Sequence, residues 1–134
     1  MTFQRSRLLE REDSPKAVIP MPNEETYKLI LDSIPYRIVF CDTDNIIRYL
    51  NKEARYHYYE VRGYEGLVGK SICDCNSPET KAMMLKALEK IKNHGNEIYL
   101  GVSVENERKY LNPVRNEKGE LVGYFERFER NLQK

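Results

Sequence analysis

The chain contains no tryptophan, two histidines and three cysteines among 134 residues. An odd cysteine count argues against a disulfide framework. None is needed, because a chain of this length buries roughly two-thirds of the surface that it exposes when unfolded. No apolar run reaches the ~18 residues of a transmembrane helix. The first dozen residues carry Arg5, Arg7 and Arg11 without an apolar centre, unlike a secretory signal. Neither charge sign prevails: 22 Lys and Arg face 21 Asp and Glu, a net charge of +1. Nucleic-acid binders neutralise phosphates with a basic face, so this balance argues against that class. A reduced, cytoplasmic protein is the expectation, with neither nucleic acid nor membrane as partner.

What is present is a single domain's worth of alternating elements, with 40% hydrophobic and 32% charged residues. Residues 1–22 read as a tail, with mixed charges and Pro15, Pro20 and Pro22 breaking any regular element; residues 23–130 read as the domain. Asn23 caps a short helix with Glu24 and Glu25 in its first turn. Tyr27, Ile30, Leu31 and Ile34 form its apolar stripe, and Pro35 ends it. Residues 37–41 and 46–50 read as a hairpin around the turn residues Asp42, Thr43, Asp44 and Asn45. Asn51 caps a helical turn that runs into a tyrosine-rich stretch, and Gly63, Gly66 and Gly69 punctuate a loop.

The clearest helix begins at Ser77-Pro78-Glu79, a cap, a first-turn proline and a first-turn acid. Its stripe is Met84, Leu85, Leu88 and Ile91, and Gly95 stops it. Three strands close the chain, at 97–104, 109–114 and 121–128, the first read as alternating through Ile98, Leu100, Val102 and Val104. Without repeated crossover helices, this order predicts an α+β domain on an antiparallel sheet.

Several stretches in this order resemble the PAS domain family over residues 24–129: LDSIPYRIVFCDTDNIIRYLNKEA, LVGKSI, the Ser-Pro-Glu helix and YLNPVRNEKGELVGYFE. Cys75-Asn76-Ser77-Pro78 is similar to a bacterial and archaeal subgroup, common in anaerobes, that has His where Asn76 stands. The resemblance implies a five-stranded antiparallel sheet with helices packed on one face. It implies a stand-alone sensory or regulatory domain that binds a small ligand or a signalling partner and forms homodimers. No output module is expected after the last strand.

Cofactor signatures are sparse. Cys73-Asp74-Cys75-Asn76 lacks the Cys-x-x-Cys-His of covalent haem. His94 reads as a helix C-terminal residue favoured by the dipole, and His57 as a packing residue among tyrosines. The Asn-Cys-Arg-Phe motif of flavin-binding relatives is absent. These observations argue against haem and flavin and leave any cofactor unnamed. No nucleophile–base motif or phosphate loop points to an enzyme.

Cys73 and Cys75 precede a helix N-terminus, where thiolates are favoured, so a thiol-based redox or metal sensor is the alternative. With Cys41 they give three metal ligands, one short of a tetrahedral zinc site, and no metal is assigned. Strand alternation proposes a ligand cup of Phe40, Tyr49, Leu100, Tyr110, Asn112 and Tyr124 against Ile72, Met84 and Leu88. Its expected occupant is small and apolar with a polar end. A core filled by side chains, serving a pure interaction adaptor, is the remaining alternative. Dimerisation is expected through Tyr27, Ile30, Leu31, Ile34 and the open sheet face.

Overall fold

The computed structural model describes residues 23–75 and 77–132, the side chains of residues 74, 75 and 94 excepted. The tail at 1–22, Asn76 and the side-chain roles assigned to Cys75 and His94 lie outside it.

The elements run α1 (Glu24–Asp32), β1 (Ile38–Asp42), β2 (Ile47–Leu50), α2 (Lys52–Arg55), a π-helical turn (Tyr56–Val61), a 3-10 turn (Ile72–Cys75), α3 (Pro78–His94), β3 (Ile98–Val102), β4 (Glu107–Arg115) and β5 (Leu121–Arg130). All strand pairs are antiparallel, in the order β2-β1-β5-β4-β3. The two edge strands of the sheet, β2 and β3, are treated differently. The loop before the 3-10 turn lies along β2, with Ile47 N bonded to Lys70 O at 2.9 Å and Gly69 N to Ile47 O at 2.8 Å. This pairing covers backbone groups that would otherwise template association. At β3, Gly101 takes φ 108° where the register with β4 shifts.

That bulge corrects the expected alternation of β3. A positive φ suits glycine, and the shift it permits turns the later side chains outward. The strand ends at Val102, and Val104 lies in the following turn, 96% exposed. The α3 stripe is also corrected. Met84, Ala87, Leu88 and Ile91 are buried, whereas Leu85 is exposed. Spacings of three and four residues place Ala87 on the core face and move Leu85 off it.

The core lies between α3 and one face of the sheet. Val39, Cys41, Ile47, Leu50, Leu111 and Tyr124 meet Ala54, Leu67, Ile72 and the α3 stripe there. Close approach at the β1–β5 pair depends on Gly123: a Cβ there would stand 2.4 Å from the Cys41 carbonyl oxygen. The C-terminus of α3 is tied to the sheet by Arg115, which donates to Ile91 O at 2.8 Å and matches the helix dipole.

Asn51 joins four segments. Its Oδ1 accepts from Ile38 N at 2.9 Å and from Ala54 N at 3.0 Å, the latter capping α2. Its Nδ2 donates to Leu31 O at 3.0 Å and Tyr36 O at 2.8 Å. The side chain is fully buried, so each bond lost would strand a polar group without water. Replacing Asn51 by Ala is expected to cost roughly 2–4 kcal/mol. Arg48→Ala, which breaks the exposed pair with Asp42, is expected to cost less than ~1 kcal/mol. Urea denaturation of the two variants measures the difference, and equal losses would show that Asn51 is not a structural knot.

Candidate functional site

Two concavities flank the sheet. The inner one, of about 350 Å³, lies between the N-terminal half of α3, the π turn and the β3–β5 end of the sheet. Arg37, Tyr58, Met84, Leu100, Lys109 and Phe128 form its deeper wall, with Arg62 and Glu105 also lining it. The outer one, of about 680 Å³, is an apolar groove between the end of α1 and the opposite sheet face.

Sheet register decides which residues face the inner pocket. Lys109 pairs with Phe128 and Leu111 with Glu126 across β4 and β5, so these four share the core face. Arg37 enters β1 and is buried, with its guanidinium 3.8 Å from the Phe128 ring centroid. It donates to the Tyr58 hydroxyl at 3.3 Å and pairs with Glu107, with Glu105 at 3.7 Å. Lys109 Nζ stands 3.2 Å from Glu126 Oε2, an ion pair outside hydrogen-bond alignment. Burial, with the Glu126 charge nearby, pushes the Tyr58 hydroxyl up, so it remains a neutral partner to Arg37.

The nine residues expected to form one cup do not share a face. Met84 and Leu100 line the inner pocket. Ile72, Leu88 and Tyr124 are buried on the same side but do not line it. Phe40 and Tyr49 line the outer groove instead. Tyr110 and Asn112 share that outer face, opposite Arg127 and Phe125 on β5. The expected grouping of Tyr110 and Asn112 against Met84 is thus corrected by one residue of strand parity. Both faces of β1 are apolar, Ile38 and Phe40 on one and Val39 and Cys41 on the other, so hydrophobicity did not identify the core side. Arg37, Arg62, Tyr58, Lys109 and Phe128 were missed. The available signal was Lys109 in step with buried Leu111, and an arginine directly before an apolar strand.

The outer groove takes Leu31 and Ile34 from the end of α1, Tyr36, Ile38, Phe40 and Tyr49 from the hairpin, and Val114 and Phe125 from the closing strands. No α1 residue is buried, and Tyr27 and Ile30 are half exposed. The helix is anchored by Asp32, which accepts from the Tyr49 hydroxyl at 2.6 Å and Lys52 N at 2.9 Å and pairs with Arg55 at 3.2 Å. Burial alone would raise the Asp32 carboxyl, but Tyr49 and Arg55 together hold it below its usual range.

Cys41, Cys73 and His57 stand apart from the pocket lining. Cys41 is fully buried, and burial, reinforced by the Glu126 charge, pushes its thiol up to about 12. Such a thiol is a poor metal ligand or nucleophile. Cys73 packs half-buried against the core. Among the described residues, no three His, Cys, Asp or Glu side chains are grouped to hold a metal ion. His57 lies edge-on to Tyr58 at 4.8 Å, and its buried Nε2 has no hydrogen-bond partner among the described residues. Burial first, and the Arg37 charge second, push the imidazole below its ordinary value. No helix among the described residues is long and apolar enough to cross a membrane.

Two outcomes follow from these groups. The unfolded chain protonates His57 near its ordinary pKa of about 6.5 while the folded chain resists, so stability falls as pH drops below that value. His57→Gln is expected to flatten the decline in Tm between about pH 6.5 and 5.5, and an unchanged slope would assign the decline to other groups. Ellman's reagent at about pH 8 is expected to leave Cys41 unlabelled until denaturant is added. Labelling of Cys41 at the rate of a free thiol in the folded protein would contradict its sealed position.

No family model and no curated protein matches the chain. Solved structures do. A C-terminal domain from Streptococcus mutans superposes with a TM-score of 0.66 at 22% identity, covering 84% of this chain and 90% of that one. A PAS domain from Colwellia psychrerythraea gives 0.58 at 19% identity over 79% and 94% of the two chains. A sensory box sensor histidine kinase structure from Vibrio cholerae gives 0.54 at 17% identity over 78% and 87%. Together with the five-stranded antiparallel sheet in the order β2-β1-β5-β4-β3 and the helices over its inner face, these similarities establish that the chain has the PAS fold.

Proposed function

We propose that this chain is a sensory domain in signal transduction. It binds a small ligand in the inner pocket and dimerises through α1 and the outer groove. The observation that carries the reading is the inner pocket itself, with buried Arg37 and partly buried Lys109 in its wall. Desolvating two ion pairs costs several kcal/mol per ion before their attraction offsets it, and well-packed apolar residues would often serve stability better. A domain required only to fold has no use for that arrangement. Similarity to domains from sensor proteins supports the same reading. Residues 23–130 act as the sensing unit behind the tail at 1–22, in the cytoplasm of a prokaryotic cell, without catalysing a reaction. A separate signalling partner reads the state of the dimer.

The entrance to β1 offers the route from pocket to dimer face. Arg37 lines the pocket, while Tyr36 and Ile38 on either side of it line the outer groove. Asn51 holds both flanking backbone groups, Tyr36 O and Ile38 N. A ligand that moves Arg37 therefore acts on backbone groups shared with the end of α1.

Native mass spectrometry is expected to show a homodimer with a retained small molecule, which Met84→Trp displaces by filling the pocket. The Ile30→Glu, Leu31→Glu double variant is expected to be monomeric by light scattering. A wild-type monomer at high micromolar concentration would overturn the dimer. No retained or added ligand, with Met84→Trp leaving Tm unchanged under every condition, would favour the adaptor.

A further inference from the structure

We propose that the inner pocket is selective for small organic carboxylates with an apolar body; this rests on the reading of the pocket as a ligand site. Among the described residues, three cations line it, Arg37, Lys109 and Arg62, against one carboxylate, Glu105. Of the acids that pair with the two deeper cations, Glu107 and Glu126 are not lining residues, whereas Glu105, 3.7 Å from Arg37, is. Two of the three paired carboxylates thus stand outside the lining, and cations outnumber carboxylates on the surface that a ligand meets.

Lys109 has capacity for such a ligand. An ammonium carries three donors. Its one ion pair, with Glu126, is not aligned as a hydrogen bond, and its side chain is largely buried. With only 17% of the Lys109 side chain exposed, a charge-assisted bond from an anion is worth more there than at the surface. Arg37 is held flat against Phe128 by Tyr58 and Glu107, which fixes its position before a ligand arrives. Arg62 lies at the exposed rim beside Tyr64, 5.5 Å from its ring centroid, where it draws anions towards the opening. Met83, Met84 and Leu100 supply the apolar side of the cavity. An anion without an apolar body leaves that side unfilled, and a neutral amide offers the Lys109 donors an acceptor without the charge that strengthens the bond.

The test is a thermal-shift comparison on the full chain, using isovalerate, benzoate and glutarate beside their uncharged amides at about 10 mM. At least one carboxylate is expected to raise Tm by ~3 °C or more, with its amide giving less than a third of that shift. Removing Lys109 alone would strand Glu126, so the informative variant is Lys109→Met with Glu126→Gln, in which the shift is expected to vanish. Should that variant fail to fold, Arg62→Gln at the rim is expected to reduce the shift at least twofold. Arg48→Gln, remote from the pocket, is expected to leave it intact. Equal shifts from amide and carboxylate, or a retained ligand that is neutral or cationic, would overturn the anion preference while leaving the pocket as a ligand site. No shift from any compound, together with no retained molecule, would overturn both.

Discussion

The architecture depends on one buried amide. Asn51 has no exposed surface, and its two ends together hold four backbone groups within 3.0 Å, Ile38 N, Ala54 N, Leu31 O and Tyr36 O. Each partner belongs to a different problem: starting β1, capping α2, ending α1, and turning the chain between α1 and β1. A hydrophobic residue would fill the space but leave donors and acceptors unpaired where water does not reach. A carboxylate would meet two carbonyl oxygens. Only a side chain with both an acceptor and two donors fits, which is the chemistry of asparagine or glutamine. At the end of β2, the shorter of these also caps the following helix.

A second consequence comes from a sheet that is apolar on both sides. One face packs against α3 in an ordinary core. The other carries Ile38, Phe40, Val114 and Phe125 into a groove that the end of α1 only borders. Soluble antiparallel sheets usually present a polar outer face. Exposed Tyr27 and Ile30 on α1 continue that apolar area beyond the groove. The inner pocket inverts this arrangement, since its charge lies inside. Arg37 and Lys109 both contact Phe128, so one aromatic ring floors the space between them.

These two surfaces are joined by the alternation of a single strand. Along residues 36–38 the chain faces the groove, the pocket and the groove again. Backbone displacement at Arg37 cannot be absorbed locally, because both flanking peptide groups are bonded to Asn51. Packed elements with shared hydrogen bonds shift between discrete arrangements more readily than they deform. This short segment therefore links the pocket to the groove through shared backbone bonds.

The element order was legible in the chain because its signals are local. Asn23, Asn51 and Ser77 each cap the helix they precede, and Asp42 folds its turn by accepting from Asp44 N and Ile46 N. Such bonds span two to four residues and need no tertiary context. The same holds for Gly95 after α3, and these landmarks together identified the fold. The site was legible only in fragments. Met84 and Leu100 were read as pocket residues, while Tyr110 and Asn112 were assigned to the wrong side. Two apolar faces on β1 erase the contrast that parity is read from, and the bulge at Gly101 breaks it on β3. Arg37 and Lys109 are distant in sequence and meet only when β1, β5 and β4 lie side by side. Local chemistry therefore determined which elements form and where they end. Tertiary packing alone decided which side of the sheet is the interior, because that choice is a sum over long-range contacts that no short window of sequence contains.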